Sequence, residues 1–491
     1  MSLFKTLLRK KPVGHDEGSL GLKKCLSAFD LTLLGVGAII GTGIFVLTGV
    51  AAATQAGPAV VLSFIVAGLA CTFAALAYSE LASSVGGCGS AYGYSYAAFG
   101  EFIAWIIAWD LLLEYGVAVA TVANGWSGYF NNALTAMGIG LPQSLIAGPY
   151  AGGIINLPAV LIILILMVLL VVGIKESAKL NRAMVFVKLL AIIVFVGVAF
   201  FHVNPDNWTP FMPFGWFDHL PDGSTVGVLA GASLVFFAYV GFDAVSTAVE
   251  EAHNPKRDVP LGIMGSLVFC TAIYILVSAL LTGMMPYTEL NVPSPVGFAL
   301  QSVGVNWASA LVSTGVIAGL TTVMLVLYYG LTRIILAVSN DGLLPRSFGK
   351  INPTTQTPVK ITVFCGLAMA ITAGLVPLNT LAELVNVGTL AAFVLVCLGV
   401  IVLRFTHPDL PRPFKAPWGI TLPVLGVLSC GALIAFLPLV THLRFLVWLA
   451  IGAVIYFGYS MHHSKLRRSA AQLDPQVTLP LKKLVSKKKK R

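Results

Sequence analysis

Charged side chains are scarce in this chain of 491 residues, where Asp, Glu, Lys and Arg together make up only 10% of the composition. Hydrophobic residues make up 57%, and the mean hydropathy is +0.89. Both values lie well outside the range of soluble proteins. The composition therefore excludes an ordinary soluble enzyme and predicts a polytopic membrane protein.

Signatures of metal, haem, disulfide and nucleotide binding are also missing. The seven cysteines are odd in number and show neither paired spacing nor a CxxC metal motif. None of the eight histidines falls at mid-membrane depth, which argues against haem and against a histidine proton relay. The sequence has no GxxxxGK[ST] motif and no soluble segment long enough for a nucleotide-binding domain. We expect no metal, no cofactor and no ATP-driven transport by this chain alone.

Long apolar stretches dominate the rest of the sequence. A helix that spans a bilayer needs about 20 mostly apolar residues, and twelve stretches meet that requirement. They cover residues 30–53, 58–83, 101–129, 156–174, 184–202, 225–250, 260–283, 306–338, 358–376, 380–403, 417–440 and 443–463.

The positive charges are distributed asymmetrically around these stretches. With twelve spans, 29 of the 30 Lys and Arg residues fall on the side of the two termini, and only Arg444 falls on the other. Positive residues accumulate on the cytoplasmic side of membrane proteins, so both termini are predicted to be cytoplasmic. This placement also argues against nucleic acid as a partner, although the net charge is +10.

Two glycine-bearing segments, residues 35–45 and 236–243, interrupt apolar stretches near their midpoints, at about Gly41 and Ala238. Glycine inside a helix costs about 1 kcal/mol relative to alanine, and a backbone within lipid must keep its polar groups paired. One explanation is close packing of helices through small residues. The other is a ligand site, because a broken helix exposes N–H groups and carbonyls that suit a carboxylate and an ammonium.

The two interruptions lie five spans apart and in spans of opposite direction, as an inverted repeat of spans 1–5 and 6–10 requires. We expect spans 11 and 12 to support or oligomerise the protein. The predicted units are a basic amphipathic cytoplasmic segment 1–27, a first five-helix repeat 28–207, a second inverted repeat 208–405, helices 11 and 12 in 406–464, and a basic cytoplasmic tail 465–491.

Acidic residues inside apolar stretches are expensive, at about 2.5–3.5 kcal/mol or more for an ionised side chain at the bilayer centre. Glu114 lies near the midpoint of span 3, and Asp110 lies one turn closer to the cytoplasm on the same helical face. Each is either a proton acceptor or partner of a basic group, or a structural carboxylate bonded to a neighbouring helix. We favour the functional interpretation for Glu114.

Two further charged residues allow two interpretations each. Lys188 in span 5 either extends its ammonium to the cytoplasmic surface or directs it at carbonyls of the first break, where it could gain and lose a proton. Asp243 either caps the second half of span 6, which we favour, or faces the side chain of a cationic substrate.

Several of these segments together resemble the bacterial members of the cationic amino acid transporter family, within the amino acid, polyamine and organocation superfamily. The resemblance extends from about Leu20 to His463. The segments that carry it are residues 37–45, 56–109 with Glu80, Gly86 and Gly87, 236–260 with Gly241, Phe242 and Asp243, and 332–345.

The resemblance implies an all-α membrane protein of twelve helices with the leucine-transporter type of 5+5 inverted repeat, in which helices 1 and 6 are discontinuous. Spans 1, 2, 6 and 7 would move against a scaffold that contains spans 3, 4, 8 and 9. It also implies that Lys188 occupies the place of a sodium ion and that a proton gradient supplies the energy. The implied substrate-binding residues are Ile39, Ile40, Gly41, Thr42, Gly43, Phe237, Ala238 and Gly241, joined by Asp243 and Thr321.

Thr321 lies near the midpoint of span 8, where its small side chain either admits larger substrates or serves close packing. The sequence thus predicts import of L-amino acids, cationic or neutral, through a bacterial cytoplasmic membrane by proton symport, with Lys188 and Glu114 in coupling. The expected partners are the amino acid and membrane lipids, and a small accessory membrane protein stays an open question. The alternatives are an amino acid/amine exchanger and a membrane sensor without flux; an enzyme is disfavoured because no catalytic constellation is visible.

Overall fold

A computed structural model describes residues 9–10, 26–85, 91–173, 178–221, 223–247, 252–345, 347–352, 355 and 357–467. Most of the amino-terminal segment, the connection with Gly86 and Gly87, and the basic tail beyond residue 467 lie outside the described residues.

The described chain is mostly α-helical. The α-helices, in chain order, are α1 Ala28–Ile39, α2 Thr48–Ala51, α3 Val60–Ser84, α4 Ala91–Ala98, α5 Glu101–Ala136, α6 Gln143–Ile146, α7 Leu157–Val172, α8 Ala178–Phe200, α9 Val228–Val235, α10 Ala244–Thr247, α11 Pro255–Met284, α12 Pro295–Ser302, α13 Asn306–Asn340, α14 Val359–Leu375, α15 Leu378–Thr406, α16 Thr421–Ala435, α17 Leu439–Ile455 and α18 Met461–His463.

Short irregular helices and one hairpin complete the architecture. Turns of π-helix cover Gly43–Leu47, Ala52–Ala56 and Tyr456–Ser460, and 3₁₀ turns cover Gly57–Ala59, Pro149–Ala151, Pro205–Trp208, Phe236–Tyr239 and Tyr287–Glu289. The strands β1 (Asp218–His219) and β2 (Thr225–Val226) pair antiparallel.

Seven helical runs in the described part of the chain are long and apolar enough to cross a membrane. They are Gly43–Ser84, Glu101–Thr135, Arg182–Phe200, Pro255–Met284, Asn306–Asn340, Leu378–Thr406 and Leu439–Arg467. Five apolar helices are shorter: Ala28–Ile39, Leu157–Val172, Val228–Tyr239, Val359–Leu375 and Thr421–Ala435.

Each of the twelve apolar stretches identified in the sequence overlaps one or more of these helices. The expectation of a helical membrane protein is therefore confirmed. The number of membrane crossings, the inverted repeat and the division of the chain into units stay predictions.

Local sequence explains where several helices begin. Ser27 caps α1, because its hydroxyl accepts from the Asp30 N–H at 3.2 Å while the Asp30 carboxylate accepts from the Ser27 N–H at 3.1 Å. This reciprocal pair satisfies two donors that a helix leaves free at its first turn. Asn156 caps α7 in a related way, accepting from the Ala159 N–H at 3.3 Å.

The long helices separate into two packed groups. Helix α11 lies against α1 and α3, and α3 also lies against α9. Helix α5 lies in the other group, where it packs against α7, α13 and α14. Helix α15 contacts both groups through α3 and α5. The two breaks in the chain, at the end of α1 and at the end of α9, therefore belong to the same group.

A buried ion pair joins the end of α3 to α15 and to the segment that follows it. Glu80 is 2% exposed, and its Oε1 accepts from Arg404 Nε at 2.9 Å. The Glu80 carboxylate also accepts from Arg404 Nη2, lies 3.5 Å from Arg412 Nε, and accepts from the Ala416 N–H at 2.8 Å. A single buried carboxylate thus organises two guanidinium groups and a loop.

Replacing Glu80 by Gln should destabilise the protein by about 3 kcal/mol, because removing one partner leaves buried charges uncompensated. The matched control is Arg182→Gln, which removes the exposed ion pair of Arg182 with Asp30 and should change the stability by less than about 1 kcal/mol. Thermal unfolding of the detergent-solubilised protein measures both. Equal midpoints for the two variants would contradict the role given to Glu80.

Candidate functional site

The first break lies between Ile39, the last residue of α1, and the π turn that begins at Gly43. Ile40 is extended, with φ −71° and ψ 102°. The N–H of Ile40 still donates to the Val36 carbonyl at 3.0 Å. In the described structure, the N–H groups of Gly41, Thr42 and Gly43 have no backbone acceptor. Three free donors at a helix start form a site that attracts an anion.

The second break follows α9, where the chain narrows to the 3₁₀ turn Phe236–Tyr239 and then leaves helical geometry at Val240 (φ −58°, ψ 131°). Gly241 has φ +115°, a conformation that side-chain-bearing residues rarely adopt. The backbone conformation at position 241 therefore requires glycine. The chain becomes helical again at Ala244.

The two breaks are in direct contact. A Cβ placed on Gly43 would collide with the backbone of Ala238, and a Cβ placed on Gly241 would lie 3.1 Å from the carbonyl oxygen of Ala38. Thr42 is fully buried and Ala238 is 1% exposed. The free N–H groups of the first break thus lie beside the 3₁₀ turn of the second, inside the protein and away from bulk water.

Backbone carbonyl groups at the two breaks provide hydrogen-bond acceptors. The Tyr274 hydroxyl of α11 lies 3.0 Å from the Ile39 carbonyl oxygen and 2.7 Å from the Ala238 carbonyl oxygen. One hydroxyl has one proton, so these two carbonyls share it and keep further lone pairs for another donor. The arrangement offers N–H groups to a carboxylate and carbonyls to an ammonium, which are the two ends of an amino acid.

Tyr274 was missed by sequence reasoning, as was Asn386 of α15. The Asn386 amide donates to the carbonyls of Ser233 at 2.7 Å and Leu234 at 3.0 Å, just before the second break. In the sequence, these two residues differ from their neighbours only as polar side chains within apolar stretches.

Lys188 of α8 points into the protein. The side chain is 2% exposed, and its ammonium donates to the carbonyl of Gly37 in α1 at 2.7 Å. Gly319 of α13 makes room for it, because a Cβ there would lie 2.7 Å from Lys188 Cγ. Of the two sequence interpretations, the structure places the ammonium at the first broken helix and not at the cytoplasmic surface.

Glu114 lies away from the first break, on the side of the residue that ends the second one. Helix α5 meets Thr42 at Gly125, where a Cβ would lie 2.9 Å from the Thr42 hydroxyl. Glu114 lies eleven residues earlier on the same helix, about 16 Å away along its axis. The structure instead groups Glu114 with Asp110 and Asp243, whose carboxylates lie within electrostatic reach of it.

Asp243 directly precedes α10, and its carbonyl accepts from the Ser246 N–H at 2.8 Å. Its carboxylate accepts from the Tyr115 hydroxyl of α5. The acidic side chain thus faces α5 on the side of Glu114. Both interpretations of Asp243, the cap that we favour and a contact with a substrate side chain, stay predictions.

Thr321 and Val323 of α13 differ in the neighbours they meet. The methyl groups of Val323 lie 3.8 Å from the place of a Cβ on Gly41, so Val323 faces the first break. Residues two apart on a helix point about 200° apart, so Thr321 faces away from it. The Thr321 hydroxyl accepts from the indole N–H of Trp126 at 3.0 Å.

The remaining predicted residues lie at the breaks. Phe237 is 6% exposed within the 3₁₀ turn, and Ile39 and Ile40 flank the end of α1. No group of three or more His, Cys, Asp or Glu side chains that could hold a metal ion occurs among the described residues.

Comparison with known proteins shows which family this chain belongs to. The amino acid permease family model matches residues 26–459. The chain belongs to this family. The resemblance to the amino acid, polyamine and organocation superfamily is thereby confirmed, and the chain is a multi-pass membrane permease.

The individual relatives are named for different substrates. The chain is 50% identical to the branched-chain amino acid permease BcaP of Bacillus subtilis, over 95% of this chain and 99% of that protein. It is 48% identical to the methylthioribose transporter of the same organism, over 94% and 100%. It is 38% identical to a vacuolar cationic amino acid transporter 4 of Arabidopsis thaliana, over 82% and 68%. The cationic transporters are thus related, at lower identity than these two bacterial permeases.

The contact between Gly43 and Ala238 can be tested directly. Gly43→Ala should weaken substrate binding about 5- to 150-fold, because overpacking costs about 1–3 kcal/mol and would force the breaks apart. Gly431→Ala in α16 is the matched control, since a Cβ there meets nothing within 4 Å. Isothermal titration of both monodisperse variants with L-leucine measures the effect; equal affinities would contradict a site at this contact.

Proposed function

We propose that this permease is a secondary transporter that imports neutral L-amino acids, branched-chain ones included, through a bacterial cytoplasmic membrane by proton symport and alternating access. The observation that carries this proposal is the contact between two broken helices at Gly43 and Ala238. The free N–H groups of the first break would bind the substrate carboxylate, and the carbonyls shared by Tyr274 would bind its ammonium.

Neutral side chains are favoured over cationic ones because the carboxylate at the second break already has a partner. Asp243 accepts from the Tyr115 hydroxyl of α5. A cationic substrate side chain would need a carboxylate partner near the breaks, because an unpaired buried charge is costly. The identity of 50% to a branched-chain amino acid permease supports the same class.

Proton coupling is assigned to Lys188. Its ammonium bonds to the Gly37 carbonyl of the broken helix, so loss of a proton from Lys188 would weaken the attachment of α1 to α8. A lysine can exist in a charged and a neutral form, which suits a group that must switch. Lys188 would therefore link the protonation state to the position of the first break.

The topology that we propose has twelve crossings, the inverted repeats 28–207 and 208–405, helices 11 and 12 in 406–464, and both termini in the cytoplasm. It is supported by the twelve helical stretches and by the placement of 29 of 30 positive residues on one side.

Uptake into proteoliposomes tests the function. Labelled L-leucine, L-isoleucine and L-alanine should accumulate with an inward proton gradient, whereas L-arginine and L-lysine should not. Methylthioribose belongs in the panel because of the transporter that is 48% identical. Uptake without dependence on the gradient would contradict symport. A strict need for internal substrate would indicate an exchanger, and binding without any flux would indicate a sensor.

Lys188→Met should abolish gradient-driven accumulation of L-leucine, because the variant can neither carry the proton nor bond to Gly37. Lys360→Met, which removes an exposed lysine near the start of α14, is the control and should accumulate L-leucine normally. Parallel measurement of L-leucine binding separates loss of coupling from loss of the site. Gradient-driven accumulation that survives in Lys188→Met would refute the role of this lysine.

A further inference from the structure

One polar atom in the seam between α5 and α15, Asp110 Oδ1, is buried and lacks a hydrogen-bond partner in the described structure. The Asp110 side chain is 2% exposed. An unpartnered buried polar group costs about 1–3 kcal/mol, and an unpartnered charge costs more. Asp110 Oδ1 therefore calls for something that satisfies it.

The seam is shaped to receive the Asp110 carboxylate. A Cβ on Gly388 would lie 2.6 Å from Asp110 Oδ1, so α15 approaches the carboxylate closely only because residue 388 is glycine. Thr389, the next residue, lies beside Glu114, which is one helical turn from Asp110. Positions 388 and 389 of α15 thus face positions 110 and 114 of α5.

The charged and titratable groups that face this seam are acidic or phenolic. Glu114 lies within reach of Asp110 and of Asp243, and Asp243 accepts from the Tyr115 hydroxyl. Tyr78 of α3 lies near Glu114 and Asp243. No Lys, Arg or His among the described residues forms an ion pair with Asp110. The acidic residues that form ion pairs in the described part of the chain are Asp30 and Glu80. An ionised Asp110 would therefore be a buried charge without a paired cation among the described residues, which is costly.

We propose that Asp110 is a second proton-binding residue of the transport cycle, protonated in the closed arrangement seen here against Gly388 and ionised when the seam between α5 and α15 opens. This inference rests on the proposed proton symport. Asp110 lies fifteen residues before Gly125 on α5, about 22 Å from the contact with Thr42, so it does not touch the substrate. It acts through the position of α5 against α15.

Asp110→Asn tests the proposal, because asparagine is neutral, similar in shape, and cannot exchange a proton. In proteoliposomes, the variant should keep L-leucine counterflow at equal pH on both sides, while accumulation driven by an inward proton gradient should fall about tenfold, within the range of coupling energies between sites. Glu289→Gln, an exposed carboxylate in an outer turn, is the control and should retain both activities.

The pH profile and the infrared spectrum distinguish a proton-binding role from a structural one. Counterflow by Asp110→Asn should depend less on pH than counterflow by the unmodified protein. The carboxylic acid C=O band of a buried protonated group should be present at neutral pH in the unmodified protein and weaker in the variant. Gly388→Ala, whose Cβ would lie 2.6 Å from Asp110 Oδ1, should also alter the pH profile and serves if Asp110→Asn does not fold.

Gradient-driven accumulation equal to that of the unmodified protein in Asp110→Asn, or an unchanged carboxylic acid band, would overturn the inference. A defect in counterflow as large as the defect in accumulation would also overturn it, because a structural role then suffices. Lack of gradient-driven uptake by the unmodified protein would instead overturn the proposed symport itself, and the role of Asp110 with it.

Discussion

Backbone N–H and C=O groups in a low-dielectric interior must find partners, and this requirement underlies the rest of the structure. Within the described apolar stretches, the chain meets it with helices and interrupts them after Ile39 and after Tyr239. At those points the protein supplies partial substitutes. Tyr274 and Asn386 donate to carbonyls near the breaks, while the N–H groups of Gly41, Thr42 and Gly43 stay free among the described residues. A ligand with a carboxylate is the natural partner for those donors.

Two buried charges outside the breaks have well-defined partners. The Glu80 carboxylate is engaged with Arg404, Arg412 and the chain at Ala416. The Lys188 ammonium bonds to a carbonyl one turn before the first break. The first of these charges is held in an ion pair, and the second is attached to the helix that ends at the first break.

The sequence predicted those features that depend on local composition. The apolar stretches predicted the helices, and the glycines at 41, 43 and 241 predicted both breaks, because their cost inside a helix needs a local reason. Features that depend on how helices rotate and slide were not predictable. Thr321 has the right depth but faces Trp126 and away from Gly41, and Glu114 lies three turns from the place where α5 meets Thr42. Span midpoints give depth along a helix and leave tilt and facing undetermined.

The central claim is that backbone N–H and carbonyl groups at the two breaks bind both ends of an amino acid. A binding comparison tests this claim most directly. L-leucine, its methyl ester and N-acetyl-L-leucine should be titrated against the same purified protein. The free amino acid should bind, and each derivative should bind about 10- to 150-fold more weakly, because each loses hydrogen bonds to a charged group worth about 1.5–3 kcal/mol. Equal affinity for either derivative would show that the exposed backbone at the two breaks does not bind the substrate.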